Sequence, residues 1–158
     1  TELFNSGIRP AVDVWLSVSR VWWSAQTKIM KKVAGTLRLE LATFRELASF
    51  AQFASDLDAN TQSKIEKGKR LVEMLKQTNN IPIPFNKQAV FVYAGVHWYM
   101  DDIEINKVLK FEQMLYNKLD TTHKSLGESI INKKILDEEI ENWIKDLISI
   151  TLKEIEIQ

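Results

Sequence analysis

The side chains that could carry chemistry are few in this sequence, and they are widely scattered. The chain has two histidines, His97 and His123, and neither has a partner at the spacing of a zinc-binding HExxH motif. Its five glycines form no GxxxxGKS/T loop, the pattern that cradles a bound phosphate. Cysteine is absent, which argues against disulfides and thiolate metal sites. We therefore expect no catalytic centre and no metal site, and we interpret both histidines as structural or solvated.

Composition argues against several functional classes. Lys plus Arg equals Asp plus Glu, with 21 of each, so the formal net charge is zero, whereas nucleic-acid-binding proteins are usually strongly basic. No apolar run approaches the roughly 18 residues of a membrane helix, and residues 1–10 lack the pattern of a signal peptide. The sequence predicts an intracellular protein, or the intracellular face of a complex, with no nucleic-acid partner and no direct membrane insertion.

Only the first stretch has the period of a β-strand. Val12, Val14, Leu16 and Val18 occupy alternate positions after Pro10, which predicts an extended segment over residues 11–20. A lone strand leaves its backbone donors and acceptors without partners. We therefore expect the chain to begin at the edge of a sheet-containing domain whose other strands are missing.

Amphipathic helices are predicted after Ser24, which is the expected N-cap of a first helix that reaches about Phe53. Asp58, Asn86, Asp101 or Asp102, and Asp137 are expected to open the later helices. The apolar stripes of the first and last helices are Ile29, Val33, Leu37, Leu41, Phe44, Leu47 and Phe50, and Ile140, Trp143, Ile144, Leu147 and Ile150. The tail over residues 153–158 is expected to fray.

Several strings resemble, in order, the alpha subunits of F-type ATP synthases. GIRPAVDV over residues 7–14 and LSVSRV over residues 16–21 are similar to the family segment GIRPAI-x-V-G-LSVSRVG. The further matching blocks are AQTK (25–28), MKKVAGTLRLELA (30–42), FREL (44–47), FAQF (50–53), SDLD (55–58), LKQ (75–77) and YAGV (93–96). The resemblance is close over residues 1–115, and beyond them only the helical pattern agrees.

The resemblance implies a fold and a domain division. In this family a nucleotide-binding domain precedes a C-terminal helical bundle, so residues 1–23 would be the terminal strand and loop of the former and residues 24–158 the bundle. The protein would then be mainly α, with one residual β-strand of a truncated α/β domain. The phosphate-binding loop would lie in the missing part. ATP or ADP with Mg is therefore expected in the full-length subunit, and no cofactor is expected for the fragment, which should be inactive alone.

Arg20 matches the arginine finger of the family. The alpha subunit does not hydrolyse ATP productively, and its arginine reaches the γ-phosphate of ATP bound by a neighbouring beta subunit. A planar guanidinium suits this role because charge spreads over several phosphoryl oxygens in the transition state. By spacing alone, Arg20 is also compatible with a surface arginine at the end of a strand.

Three residues match the surroundings of the adenine in the family's non-catalytic nucleotide site. Arg9 and Pro10 would offer a surface for the purine, and the amide of Gln77 would hydrogen-bond to its edge. Asn79 stands where the family often has a second, longer glutamine. The alternative is an ordinary Arg-Pro turn and a glutamine at a helix end.

Ser55, Asp56 and Asp58 match the acidic loop that faces the rotating gamma subunit in this family. The alternative for this segment is a helix-capping loop, and Asp58 could serve both purposes.

Four tryptophans stand where the family has glycine or a very small residue: Trp15, Trp22, Trp23 and Trp98. Replacing the smallest residue with the largest overpacks a site at a cost of about 1–3 kcal/mol, and the cost is higher where φ is positive. We expect glycine to be the native residue at these positions. A gene whose code reads UGA as glycine would give this pattern if it were translated with a table that reads UGA as tryptophan. The alternative is that the tryptophans are real and mark a rebuilt interface. Trp143 lies on an apolar stripe, where a tryptophan fits.

The sequence thus favours a fragment of the non-catalytic, regulatory alpha subunit of a rotary proton- or sodium-translocating ATP synthase. Beta and gamma subunits are the expected partners, at the cytoplasmic face of the cell membrane. The alternative is a stand-alone helical interaction module, derived from such a subunit, with no role in ATP turnover.

Overall fold

A computed structural model of the protein describes residues 24–51, 57–76 and 81–157. Within these ranges the protein forms α1 (Lys28–Ala51), α2 (Ala59–Met74), α3 (Phe85–Val96), a 3-10 helix (Ile105–Lys107), α4 (Val108–Asp120), α5 (Lys124–Lys133) and α6 (Glu138–Ile157). The described ranges contain no strand, so the prediction of a mainly α fold is confirmed. The predicted strand over residues 11–20 lies outside the described residues.

Helix α1 begins later than its predicted cap would place it. Ser24 and Ala25 are helical themselves, and a break at residues 26 and 27 separates them from α1. Thr27 supplies the cap instead of Ser24, because Met30 donates its N–H to Thr27 Oγ1 at 3.4 Å.

Helices α1, α2 and α3 pack against one another. The predicted cap of α2 is confirmed, since Thr61 donates its N–H to Asp58 Oδ2 at 3.1 Å. Asn86 does not cap α3: Pro84 holds the N-cap position, and Asn86 lies buried inside the first turn. Proline is compatible with a helix start because the first N–H groups have no partner within the helix.

The second half of the fold differs more from the predicted pattern. Asp101 and Asp102 lie in a turn, and the 3-10 helix separates them from α4, which neither residue opens. Helix α5 was absent from the predicted elements. Asp137 precedes α6 as predicted and accepts the N–H of Ile140 at 2.8 Å, but the helix continues to Ile157 and does not end at the predicted fraying point.

One continuous core joins the helices, and it does not include all of the predicted stripes. The buried residues of α1 are Ile29, Val33, Leu37 and Leu41. Phe50, further along the same predicted stripe, is 73% exposed, because no described element covers the end of α1. On α6, Ile140, Ile144 and Leu147 are buried, whereas Trp143 and Ile150 are exposed. The amphipathic period therefore continues beyond the buried surface.

Candidate functional site

Most of the residues predicted to act chemically lie outside the described residues. These are Arg20, the adenine-site residues Arg9, Pro10 and Gln77, and Ser55 and Asp56 of the acidic loop. Trp15, Trp22 and Trp23 also lie outside. The described members of the predicted sets are Asp58 and Trp98.

Asp58 is exposed, and its carboxylate is used by its own helix. Its backbone is extended, with φ −65° and ψ 151°, and it accepts hydrogen bonds from both the N–H and the hydroxyl of Thr61. These bonds lower the pKa of Asp58, and the bond from the Thr61 hydroxyl has the largest effect. Asp58 is therefore a charged helix cap at the edge of the predicted acidic loop, and its contact with another subunit remains a prediction.

A buried lysine lies where α1, α2 and α3 meet. The side chain of Lys67 on α2 is 3% exposed, and its Nζ lies 3.2 Å from Glu40 Oε1 on α1. The same ammonium donates to the carbonyl of Val96 at the end of α3, at 3.4 Å. Burial lowers the pKa of Lys67, while Glu40 opposes that shift. A cation at this point stabilises the carbonyl end of α3 and links three helices.

Trp98 follows the end of α3 in a left-handed conformation, with φ 65°. The backbone there forms a helix-terminating turn in which Tyr99 donates its N–H to the carbonyl of Ala94 at 3.2 Å. The indole ring lies over the Lys67 ammonium, with Nζ 3.2 Å from the centroid of the ring. Glycine favours this backbone conformation and tryptophan does not, so the geometry supports the expectation of glycine at position 98.

A second polar group joins α3 to α6. Tyr93 donates its hydroxyl to Glu141 Oε1 at 2.9 Å, and Lys145 pairs with the same oxygen at 2.9 Å. His97 stacks on Tyr93 with ring centroids 4.1 Å apart. Burial lowers the pKa of His97 and raises that of Tyr93. Tyr93 and Lys145 both donate to Glu141, and the raised pKa of Tyr93 means that its hydroxyl is not activated as a nucleophile.

The described ranges contain no candidate metal site. No group of three or more Asp, Glu or His side chains there could hold a metal ion, and none of the described helices is long and apolar enough to cross a membrane. The cleft between Tyr99, Lys107 and α6 encloses about 90 Å³, below the roughly 300–1,000 Å³ of pockets for small molecules. A larger depression of about 550 Å³, lined by Arg70, Glu73 and Ile105 among others, is wide open to solvent.

Lys67 and Glu40 were missed by the sequence-based predictions, although a pattern in α2 could have indicated them. Lys67 precedes the buried residues Leu71 and Met74 by four and seven positions, so a lysine occupies the apolar stripe. A charged residue at such a position needs a partner. The sequence does not show which carboxylate provides it, because Glu40 belongs to a different helix.

Comparisons with known proteins agree with this fold. Residues 26–151 match the family model described as ATP synthase alpha/beta chain, C terminal domain. The protein is 58% identical over 145 residues to ATP synthase subunit alpha of Aquifex aeolicus, and the match covers 92% of this chain and 29% of that protein. It is 52% identical over 144 residues to the subunit alpha of Wolinella succinogenes, covering 91% and 29%. It is 56% identical over 138 residues to that of Streptococcus uberis, covering 87% and 28%. The sequence thus spans less than a third of the length of these curated relatives.

Proposed function

The protein belongs to the family formed by the C-terminal domains of ATP synthase alpha and beta subunits, and from that membership we propose that it is the C-terminal part of a non-catalytic, regulatory alpha subunit in a rotary, ion-translocating ATP synthase. The observation that carries the proposal is the identity of 58% over 145 residues to a subunit named alpha. The helical architecture of the described residues supports it, because it agrees with the C-terminal domain of the matched family.

In this proposal Arg20 acts on ATP bound by a neighbouring beta subunit. Its guanidinium stabilises the charge that develops on the transferred phosphoryl group, and it therefore contributes more to turnover than to binding of the ground state. Arg9, Pro10 and Gln77 contact the adenine of a nucleotide held by the alpha subunit itself. ATP or ADP with Mg is the ligand of the full-length subunit, whose preceding domain supplies the phosphate contacts.

The proposed partners are beta subunits and the gamma subunit, at the cytoplasmic face of the membrane. The loop that ends at Asp58 contacts gamma. The described part of that loop supports this assignment with the exposed carboxylate of Asp58, whose pKa is lowered by its hydrogen bonds from Thr61.

The test is turnover by a complex assembled with the full-length subunit. Arg20→Ala should lower kcat by about a thousandfold or more, while nucleotide affinity at the beta site changes little. Arg20→Lys keeps the charge but loses the paired donors, so it should recover only part of the loss. An equal loss of affinity and turnover would make Arg20 a ground-state contact only. A subunit that binds no beta subunit would instead favour a stand-alone interaction module.

A further inference from the structure

The connection between α3 and α4, residues 97–104, is tied to α2 at both of its ends. Lys67 donates its ammonium to the carbonyl of Val96, which directly precedes the connection, at 3.4 Å. Arg70 donates its Nε–H to the carbonyl of Ile103, at the other end, at 2.7 Å. Lys67 and Arg70 are three residues apart and so lie on one face of α2. Two cations of a single helix therefore hold the two ends of an irregular segment.

Between these ends, three backbone hydrogen bonds shape the connection, and all three are local. They run from the N–H of Tyr99 to Ala94, of Asp101 to Trp98 and of Ile103 to Met100, at 3.1–3.3 Å. Because these bonds stay within the connection and the end of α3, they do not fasten it to α2. That attachment depends on the two cations and on the side chains that the connection buries.

The connection brings both apolar and charged groups to this junction. Met100 and Ile103 are only 2% and 4% exposed. Burial raises the pKa of Asp101, and the nearby charges of Lys67 and Arg70 oppose that shift. Detaching the connection from α2 would therefore expose apolar surface and move a carboxylate away from two cations.

The two anchoring side chains differ in their access to solvent. Lys67 is 3% exposed and lies beneath the indole of Trp98. Arg70 is partly exposed and, with Glu104, lines the depression that is open to solvent. The connection also borders the cleft of about 90 Å³ against α6, so its packing on that helix is incomplete. Arg70 is therefore the anchor that solvent reaches, and the connection has room to move.

We propose that residues 97–104 form a latch, which opens as one unit and which Lys67 and Arg70 of α2 hold closed. Opening releases both carbonyls from the cations and uncovers Met100 and Ile103. Proteins open locally in contiguous units that cost less free energy than global unfolding, and hydrogen bonds from charged donors are stronger than neutral ones. This device goes beyond the proposed role in ATP turnover and does not depend on it.

Native-state hydrogen exchange of the unsubstituted protein tests whether the latch is one unit. The amides of Tyr99, Asp101 and Ile103 should share one protection factor. It should be at least about tenfold below that of Leu115, which lies in α4 with 0% of its surface exposed. Three different protection factors, or protection equal to that of Leu115, would overturn the latch.

A matched pair of substitutions at Arg70 tests what holds the latch closed. Arg70→Met removes the donor but keeps a side chain of similar reach. Arg70→Gln places an amide nitrogen directly after Cδ, where arginine has Nε, and so keeps a neutral donor. We expect the methionine variant to raise the exchange of all three latch amides by a common factor of about tenfold, with Leu115 unchanged. The glutamine variant should raise it by less than about threefold.

Lys69→Met is the control for loss of a neighbouring cation, because Lys69 is half exposed and pairs with Glu66. It should leave the latch amides unchanged. Faster exchange of the Ile103 amide alone in Arg70→Met would show fraying at one end and overturn the latch. Unchanged exchange would overturn the role of Arg70. If Arg70→Met does not fold, the unsubstituted protein still tests the single unit, and Arg70→Gln still tests the anchor through a smaller common acceleration.

Discussion

Two helix ends with the same backbone conformation differ in the contacts that surround them. Trp98 after α3 and Lys134 after α5 are the described non-glycine residues with positive φ, at 65° and 54°. At Trp98, where the Tyr99 N–H already closes a main-chain turn, side chains provide further contacts, since the indole covers the Lys67 ammonium. At Lys134 the main chain provides them, through the carbonyl of Ile130 and the N–H of Ile29. The first end should therefore be sensitive to changes in surrounding side chains, and the second mainly to changes in the backbone.

Removing the buried charge beneath Trp98 tests the sensitivity of the first end most directly. We expect Lys67→Met to lower the free energy of unfolding by about 1–3 kcal/mol, because Glu40 and the carbonyl of Val96 lose a buried partner. Lys69→Met is the matched control on the same helix: Lys69 is half exposed and pairs with Glu66, so its loss should change stability by less than about 0.5 kcal/mol. Urea unfolding of both variants measures the difference. Equal effects would show that the buried pair contributes nothing particular to this end.

Substitutions at two glycines test how closely α1 and α2 pack near the same junction. A methyl group at Gly68, next to Lys67, would overlap the ring of Phe44, whereas one at Gly35 would meet nothing within 4 Å. Gly68→Ala should destabilise the protein by about 1–2 kcal/mol, because the steric cost exceeds the helix-propensity gain. Gly35→Ala should stabilise it by up to about 1 kcal/mol. Thermal unfolding in parallel gives both signs, and a stabilising Gly68→Ala would contradict the close contact between α1 and α2.

The requirement that the two ends share, a positive φ, can be isolated by comparing glycine with alanine at each. Trp98→Gly should be more stable than Trp98→Ala by about 1 kcal/mol, and Lys134→Gly more stable than Lys134→Ala by a similar amount. The comparison of two small residues removes the contribution of the indole over Lys67. No difference at position 98 would mean that its backbone does not require this conformation. Mass spectrometry of the natural protein tests the related hypothesis that glycine occupies positions 15, 22, 23 and 98.

The smallest expected effect concerns pH. Burial lowers the pKa of His97, with Glu141 opposing the shift and Lys145, Lys67 and Lys32 reinforcing it. The folded state thus binds fewer protons at His97 than the unfolded state does. The stability that neutral His97 contributes is therefore present above pH 6.5 and is lost as the pH drops below that value. Unfolding between about pH 7 and 5.5, where most carboxylates stay ionised, should show this slope, and His97→Phe should reduce it. An unchanged slope in His97→Phe would assign the dependence to another group.

Local and short-range patterns accounted for much of the fold. Asp58 and Asp137 were predicted as caps because a carboxylate near the first free N–H groups of a helix acts within a few residues, and both predictions are confirmed. The predicted cap at Asn86 was wrong, since this residue is buried inside α3. Helix α5 was missed, although its buried residues Leu126 and Ile130 have helical spacing. The predicted roles of Arg20, Arg9, Pro10 and Gln77 stay predictions, because the described residues do not include them.

The sequence by itself determined the family, the mainly helical class and the starts of two helices, at Asp58 and Asp137, because motifs, periodicity and capping are properties of neighbouring residues. Tertiary structure decided which parts of each stripe are buried: Leu41 belongs to the core, whereas Phe50 is exposed. It also decided the partners of Lys67 and of the Ile29 N–H. These contacts join residues on different helices, and the sequence does not encode their distances in any local pattern. Packing alone brings Glu40 to the ammonium and the Lys134 carbonyl to the first turn of α1.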